Sequence, residues 1–193
     1  METDRSTLQK LKKEATPLDT SRGLNYTTLF DFARAEIGPT APREVDPTGK
    51  GSRVDFFSYP ITEYLDTAWN IAERLAPKYG SLDAVFFELG KRTVDSFLAS
   101  VVGKTIFSMA GRDPRRVLAA GPGAFKSAVS YGERKVEFTG EKTARYSFKR
   151  DFMPNSFHRG VILAALGATE AKNARVEARA VAFMETVYEI AWE

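Results

Sequence analysis

The chain has 193 residues, a net charge of +3 at neutral pH, no cysteine and one histidine. The absence of cysteine excludes disulfides, thiolate metal sites and cysteine nucleophiles, and a single histidine excludes a metal site built from several histidines. The length and a hydrophobic share of 43% are typical of one folded domain with a substantial core. The small charge excess does not favour nucleic-acid binding, which usually shows as a concentrated basic stripe.

The first residues are polar and lack the apolar core of a signal peptide, and no apolar run is long enough for a membrane span. We therefore expect a cytoplasmic protein without a membrane span. Lysines surround Leu8 and Leu11, which fits either a frayed arm or a short helix. We expect residues 1–22 to form a polar N-terminal arm and residues 23–193 to form a single α+β domain.

Apolar side chains recur at helical spacing over residues 28–37, 61–76 and 81–102. The last stripe is wide, which indicates a helix that is buried on much of its circumference. Gly90 lies in its middle, where glycine costs roughly 1 kcal/mol relative to alanine. This glycine permits the close approach either of another helix or of a second subunit, and we expect a homodimer contact there.

Two more helical segments precede the predicted sheet. Gly103 separates the long helix from a shorter apolar piece over residues 105–110. Asp113 and Pro114 are a capping residue and a first-turn proline, and they begin a helix that we expect to end at Gly121-Pro122-Gly123.

Alternating apolar and polar residues over 133–139 and 143–149 predict two strands joined by a short turn. Alternation returns from Arg175 and continues to the end of the chain, and the helical segment Phe152–Gly167 lies between the two pairs of strands. The predicted architecture is α+β. N-terminal helices pack on a four-stranded antiparallel sheet, and one helix is inserted between two hairpins.

The sequence contains no recognisable catalytic constellation. Asp83 and Glu88, or Glu63 and Asp66, fall at the starts or on the polar faces of predicted helices, where acids favour the helix dipole and solubility. Because a nucleophile–base pair and a set of metal ligands are both missing, we expect no enzyme, no catalytic residue and no metal site.

His158 is the only residue suited to ligate a haem iron, which requires a histidine that faces an apolar cavity. Lone histidines are more often structural or solvated, and that interpretation is preferred. Aromatic side chains from three helices and one strand either line an apolar ligand pocket between the helices and the sheet or fill it as core. The candidate pocket residues are Trp69, Phe86, Phe97, Phe107, Tyr146 and Phe148.

A set of short motifs makes the chain similar to a group of known proteins, in addition to the periodic patterns described above. In order they are Tyr59-Pro60 ahead of a helix bearing Trp69, Leu89-Gly90-Lys91-Arg92, Gly103-Lys104, Asp113-Pro114, Phe157-His158-Arg159-Gly160, Gly167 and Tyr188-Glu189-Ile190-Ala191-Trp192. Their order and spacing resemble an uncharacterised family of proteins of similar length that is abundant in myxobacteria. More distantly, the chain resembles a superfamily that includes haem–nitric-oxide sensors, the four-vinyl-reductase domain and TRAPP-type transport-complex subunits.

The resemblance implies helices followed by an antiparallel sheet that a helix interrupts, pairing as dimers, and binding of a small ligand, a lipid or another protein. The haem branch of the superfamily carries a Tyr-x-Ser-x-Arg motif and a histidine before the sheet. Here Phe148 stands at the serine position, and His158 lies within the sheet region, so we expect no haem and no other cofactor.

Two functions remain open, because fold does not determine function. The preferred one is a non-enzymatic signalling sensor or adaptor that binds a small apolar or amphipathic ligand between the helices and the sheet. The alternative is a homodimeric protein–protein interaction module with a filled core and no ligand. Neither requires nucleic acid as a partner.

Overall fold

The structure is a computed structural model that describes residues 3–193, apart from the side chains of Val102 and Ile106. Its helices are α1 (Arg5–Glu14), α2 (Gly23–Glu36), α3 (Ala41–Val45), α4 (Ile61–Tyr79), α5 (Leu82–Ala99), α6 (Val101–Ala110), α7 (Pro114–Ala128) and α8 (Asn155–Gly167). Its strands are β1 (Thr20–Arg22), β2 (Ser58–Pro60), β3 (Glu133–Phe138), β4 (Thr143–Lys149), β5 (Arg175–Ala182) and β6 (Glu185–Ala191).

The main sheet has four antiparallel strands in the order β3-β4-β6-β5. Strands β3 and β4 form one hairpin, β5 and β6 form the other, and α8 lies between the hairpins in the chain. The predicted α+β architecture is therefore confirmed. The alternation of side chains along each strand explains it, because one face can be apolar while the other remains in water.

The inner face of the sheet is covered by helices. Tyr146 and Phe148 of β4 and Tyr188 and Ile190 of β6 are buried there, and α7 and α8 pack against this face. The outer face carries charged pairs such as Arg145–Glu189, which are joined across β4 and β6 at 2.9 Å.

Helices α5 and α8 cross closely because each places a glycine at the contact. A Cβ atom on Gly90 would lie 2.0 Å from the carbonyl oxygen of Phe157, and one on Gly160 would lie 2.1 Å from the carbonyl oxygen of Phe87. Gly90 thus permits the approach of another helix of the same chain, which is one of the two predicted alternatives. A homodimer contact at Gly90 stays a prediction, and any partner would meet this residue with α8 already against it.

Residues 5–14 form part of the helical layer. Of the two alternatives for this segment, α1 is the short helix, and its Leu8 and Leu11 are buried in the same core cluster as Trp69. Strand β1 pairs with β2 in a small second sheet. The division of the chain into an arm over residues 1–22 and a domain over 23–193 stays a prediction.

Two predicted helix boundaries are wrong. Helix α7 continues through Gly121-Pro122-Gly123 to Ala128. The fixed φ of proline is helical, and the packing of α7 against α6, α8 and β3 offsets the backbone hydrogen bond that an interior proline loses. The break between α5 and α6 falls at Ser100 and not at Gly103, because the Ser100 hydroxyl accepts the N–H of Gly103 at 3.0 Å and so begins the next helix.

None of the helices within residues 3–193 is both long enough and apolar enough to cross a membrane.

Candidate functional site

Two neighbouring cavities lie where α5, α7 and α8 meet. The histidine cavity, named after His158 in its wall, has a volume of about 120 Å³ and is lined on its far side by α2. The tyrosine cavity, named after Tyr146, has a volume of about 110 Å³ and is lined by α6 as well. The two share five wall residues: Val94, Phe97, Ala124, Phe125 and Val161.

The sequence of α7 explains the space beneath it. This helix is rich in alanine and glycine, and the residue that it buries is Leu118. A Cβ atom on Gly121 would lie 2.7 Å from the hydroxyl of Tyr146, so glycine there leaves room for that hydroxyl. Small side chains on α7 therefore leave a gap between this helix and the sheet, and close packing fills it only in part.

Arg134, Asp151 and His158 form a buried polar cluster at the edge of the histidine cavity. The Asp151 carboxylate accepts hydrogen bonds from Nη2 of Arg134 and from Nε2 of His158, the latter at 2.7 Å. It also accepts the backbone N–H of Met153 at 2.9 Å. The side chains of the three cluster residues are only 4%, 7% and 2% exposed, respectively, so the cluster is shielded from water.

Asp151 is ionised at neutral pH. Burial by itself raises the pKa of a carboxyl group, but the charge and hydrogen bond of His158, with the Arg134 guanidinium and the Met153 N–H, lower the pKa of Asp151 to about 2. A carboxylate can only accept hydrogen bonds, so Nε2 of His158 must carry the proton that it shares with Asp151.

Three buried polar atoms have no hydrogen-bond partner within the described residues: Nε of Arg134, Oη of Tyr146 and Nδ1 of His158. All three belong to side chains around Phe125, whose ring lies 4.7 Å from the Arg134 guanidinium carbon, 6.4 Å from the Tyr146 ring and 5.6 Å from the His158 ring. Because buried polar groups are nearly always paired, such a concentration at one place marks a candidate binding site.

The remaining surroundings of His158 are aromatic. Its ring centroid lies 4.6 Å from that of Phe148 and 5.2 Å from that of Phe157, and the Tyr188 ring is 6.1 Å away. These contacts fix the orientation of the imidazole ring. The position of His158 is that of a buried structural histidine. The unpaired Nδ1 is the part that a purely structural role leaves unexplained.

The structure brings together four of the six aromatic residues predicted for a pocket. Phe97 lines both cavities, and Phe107 and Tyr146 line the tyrosine cavity. Phe148 lies behind them, with its ring 4.5 Å from that of Tyr146. Contact of these residues with a ligand stays a prediction.

Trp69 and Phe86 lie elsewhere, in the core between α1, α4 and α5. Their rings are 4.6 Å apart, both side chains are fully buried, and the indole N–H of Trp69 donates to the carbonyl of Asp4 at 3.2 Å. They line neither cavity, and of the two uses considered for the aromatic residues they serve core filling.

Sequence reasoning missed Arg134, Asp151 and Phe125. A signal existed for Arg134, because it stands two residues before Val136 and so shares the inner face of β3 with that apolar side chain. A charged residue at an inward position requires a buried partner. The partner Asp151 lies 17 positions further along the chain and had no local signal.

The buried cluster has only some of the features of a catalytic site. The described residues contain no group of three or more histidine and acidic side chains that could hold a metal ion. The Asp151–His158 pair has the arrangement of a base and its orienting carboxylate, but no hydroxyl within the described residues is hydrogen-bonded to Nδ1.

Several solved structures share this fold. An H-NOX protein from K. algicida in the Fe(II) unliganded state superposes with a TM-score of 0.70 at 14% identity over 89% of this chain and 96% of its own. An H-NOX protein from S. oneidensis in the Fe(II)NO state gives 0.71 at 12% identity, over 89% and 99%. An oxygen-binding H-NOX domain related to soluble guanylate cyclases gives 0.65 at 12% identity, over 89% and 95%. The expected distant similarity to the haem–nitric-oxide-binding superfamily is therefore confirmed at the level of the fold.

Haem is the group that this fold family implies, and the residues present do not fit it. The Nε2 atom of His158 is held by Asp151, and Phe97 and Phe125 divide the space into two small cavities in place of one planar slot. Arg150, at the arginine position of the haem motif, binds the Asp19 carboxylate and the carbonyl of Glu14 instead.

A comparison of the sequence with curated proteins found no match. Residues 14–193 match the family described as protein of unknown function (DUF2378). This match extends from the end of α1 to the last residue and so includes both cavities and the buried cluster. The chain therefore belongs to the DUF2378 family.

Proposed function

We propose that this protein is a non-enzymatic sensor domain that binds a small apolar or amphipathic molecule in the histidine and tyrosine cavities. The observation that carries the proposal is the pair of adjoining apolar cavities, whose wall residues carry three unpaired buried polar atoms. The H-NOX-like fold supports it at a coarser level, since two of the H-NOX structures of similar fold are described as nitric oxide and oxygen complexes.

The volumes limit the ligand. Each cavity holds about 110–120 Å³, somewhat less than the roughly 150 Å³ apolar cavity that binds benzene in an engineered protein. Drug-sized ligands require about 300 Å³ or more. A ligand of this site is therefore about as large as one aromatic ring, or it spans both cavities past Phe125.

Two helices that line the tyrosine cavity, α6 and α7, have properties that are suited to sensing a ligand. Gly103 and Phe107 of α6 and Gly121 and Ala124 of α7 line the tyrosine cavity, while Val101 and Met109 of α6 are more than three-quarters exposed. A bound molecule would add apolar contacts to two helices that otherwise bury little. Occupancy would then change the stability of α6 and α7 more than that of the sheet.

The test combines native mass spectrometry of the purified full chain with thermal unfolding in the presence of benzyl alcohol. We expect either a retained small mass or a rise in the unfolding midpoint, since a ligand at a hundred times its Kd stabilises by about 2.7 kcal/mol. Ala124→Leu fills space shared by both cavities and should abolish the shift. Ala119→Leu, on the exposed side of α7, is the matched control and should keep it.

If neither a retained mass nor a stabilising effect is found, or if both leucine variants behave alike, the cavity does not bind such ligands. The loss of binding in Ala124→Leu must be accompanied by an intact unfolding transition without ligand. Otherwise the substitution reports only on folding.

A second candidate is a protein-interaction module, which exposed aromatic residues favour. Val54, Phe56 and Phe57, which lie just before β2, are 54%, 81% and 64% exposed. Adjacent exposed apolar side chains often mark contact surfaces. Light scattering at increasing concentration tests for a homodimer, and the double variant Phe56→Ser with Phe57→Ser should make it monomeric. A wild-type chain that is monomeric at all concentrations would contradict the homodimer.

A further inference from the structure

We infer that the ligand is a small monocarboxylic acid whose carboxyl group binds between Nε of Arg134 and Nδ1 of His158. The inference rests on the proposed function and adds the chemical class of the ligand. It starts from the hydrogen-bonding capacity that the buried cluster leaves unused.

Arg134 uses two of its three nitrogens. Nη1 donates to the carbonyl of Tyr131 at 2.6 Å and Nη2 donates to Asp151, whereas Nε has no partner among the described residues. A guanidinium nitrogen can only donate. The cluster therefore presents one free N–H donor next to Phe125, over whose ring the guanidinium lies at 4.7 Å.

The Nδ1 atom of His158 is a second unpaired hydrogen-bonding atom, which complements the free N–H of Arg134. Its Nε2–H donates to Asp151, so in the neutral ring Nδ1 is a lone-pair acceptor, and in the protonated ring it is a second donor. Either form leaves Nδ1 unpaired within residues 3–193 as the structure describes them. A ligand that can supply a proton to this nitrogen and also accept from Arg134 satisfies both atoms.

A carboxyl group does so with balanced charge. The O–H bond of the acid gives its proton to Nδ1, which yields an imidazolium beside Asp151 and a carboxylate that accepts from Nδ1–H and from the Nε–H of Arg134. Nothing is oxidised or reduced, and the proton stays within the complex. One cation and one anion are added together, so the site gains no net charge, which keeps the desolvation cost low.

Other polar groups satisfy the site less well. An alcohol can donate to Nδ1 and accept from Nε–H, but its hydrogen bonds lack the charge assistance that roughly doubles the strength of such bonds. An amine would place a positive charge beside Arg134. The rest of the cavity is apolar, with Val94, Phe97, Met153, Phe157 and Val161 in its wall, so the acid must carry an apolar body of about one ring.

The other charged or titratable groups near His158 are Asp151 and Arg134 in the cluster, Tyr146 and Tyr188 on the sheet, and Tyr64 and Tyr131 in the cavity wall. Burial raises the pKa of each of these four tyrosines, so they remain neutral and add no charge beside the ligand carboxylate.

The experiment is calorimetric titration of the full chain at pH 7 with benzoate, and benzyl alcohol is the matched alcohol of the same size. We expect the acid to bind at least tenfold more tightly than the alcohol, because its hydrogen bonds to the cluster are charge-assisted.

Two variants assign the effect to the two nitrogens. Arg134→Lys keeps a cation for Asp151 but removes the Nε–H, and we expect at least a tenfold loss for the acid and a smaller loss for the alcohol. His158→Gln can still donate to Asp151 through its amide nitrogen, but its amide oxygen can only accept, so the acid should lose its advantage over the alcohol. Arg150→Lys, an arginine on the Asp19 side outside both cavities, is the matched control and should leave both affinities unchanged.

The wild-type series alone decides the question if a variant fails to fold. Equal binding of acid and alcohol overturns the carboxylic-acid inference and leaves the apolar-ligand proposal standing. Binding of neither compound, with no retained mass in native mass spectrometry, overturns both.

Discussion

The ion pairs of this protein differ in how far they are shielded from water, and so in how much each charged residue matters for stability. Arg134 and Asp151 are almost completely shielded from water, whereas Arg145 and Glu189 on the outer sheet face are each 43% exposed. Exposed pairs of this kind contribute about 0–1 kcal/mol. A buried pair is different, because removal of one partner leaves an uncompensated charge that the protein interior cannot solvate.

Asp151→Asn should therefore lower the free energy of unfolding by about 3–5 kcal/mol, since the shape is kept while the charges of Arg134 and of any protonated His158 lose their partner. Urea unfolding at pH 7 measures the change. Asp95→Asn, at an exposed position of α5, is the control and should stay within about 0.5 kcal/mol of wild type. Similar effects of the two substitutions would contradict the assignment of a buried ion pair.

Three carboxyl groups should make the protein acid-sensitive. Arg150 lowers the pKa of Asp19 to about 2, and the partners of Asp46 and Asp151 outweigh burial and lower their pKa values to about 2 as well. Because these values lie below the ordinary 3.8, their stabilisation is complete above pH 4 and is lost as the pH falls towards 2. Urea midpoints at pH 5, 4, 3 and 2 should decrease, and Asp151→Asn should show a shallower decrease. Constant midpoints would contradict this linkage.

Among the elements, α5 and α8 depend most on glycine. Their backbones approach so closely at Gly90 and Gly160 that a methyl group on either would overlap a carbonyl of the other helix. This crossing holds α8 at the position where His158 faces the histidine cavity. The geometry of the site therefore depends on two residues that have no side chain.

Gly90→Ala or Gly160→Ala should force the two helices apart and lower the free energy of unfolding by about 1–3 kcal/mol or more. Gly123→Ala in α7 is the matched control, because its Cβ would meet nothing within 4 Å. It should be neutral or stabilise by about 0.4–1 kcal/mol, since alanine restricts the unfolded chain. Denaturant unfolding compares all three, and stabilisation by Gly90→Ala would show that the crossing is looser than described.

At the scale of the whole molecule, one core joins the N-terminal segment to the helices that follow. Leu8 is fully buried in the cluster that contains Trp69, while Leu18 of the same segment is 82% exposed. Arg150, after β4, binds Asp19 and the carbonyl of Glu14. These contacts connect the segment both to the helical layer and to the end of the sheet.

Leu8→Ala should lower the free energy of unfolding by about 2–5 kcal/mol, because it leaves a cavity in the core. Leu18→Ala should change it by no more than about 0.5 kcal/mol. Thermal or urea unfolding of the two variants also tests whether residues 1–22 are a separable arm. If they are, both substitutions will be nearly neutral.

The sequence by itself determined the four strands of the main sheet, most of the helices and their order, whereas α3, β1 and β2 were not predicted. Alternation along 133–139 and 143–149 is a local signal and predicted the first hairpin, and helical spacing predicted α4, α5 and α8. These patterns sufficed for the α+β architecture because each depends on neighbours a few residues apart. The patterns could not show that Gly121-Pro122-Gly123 is helical, since that depends on what α7 packs against.

Only the tertiary structure decided the site. The cavities exist because small residues of α7 face Tyr146 of β4 and Val94 of α5, and no local pattern records which helix lies over which strand. The same holds for the cluster, in which Arg134 comes from β3 while Asp151 and His158 flank the start of α8. Aromatic content predicted a pocket but could not separate Phe97, which lines it, from Trp69, which is core, because both are apolar residues on buried helical faces.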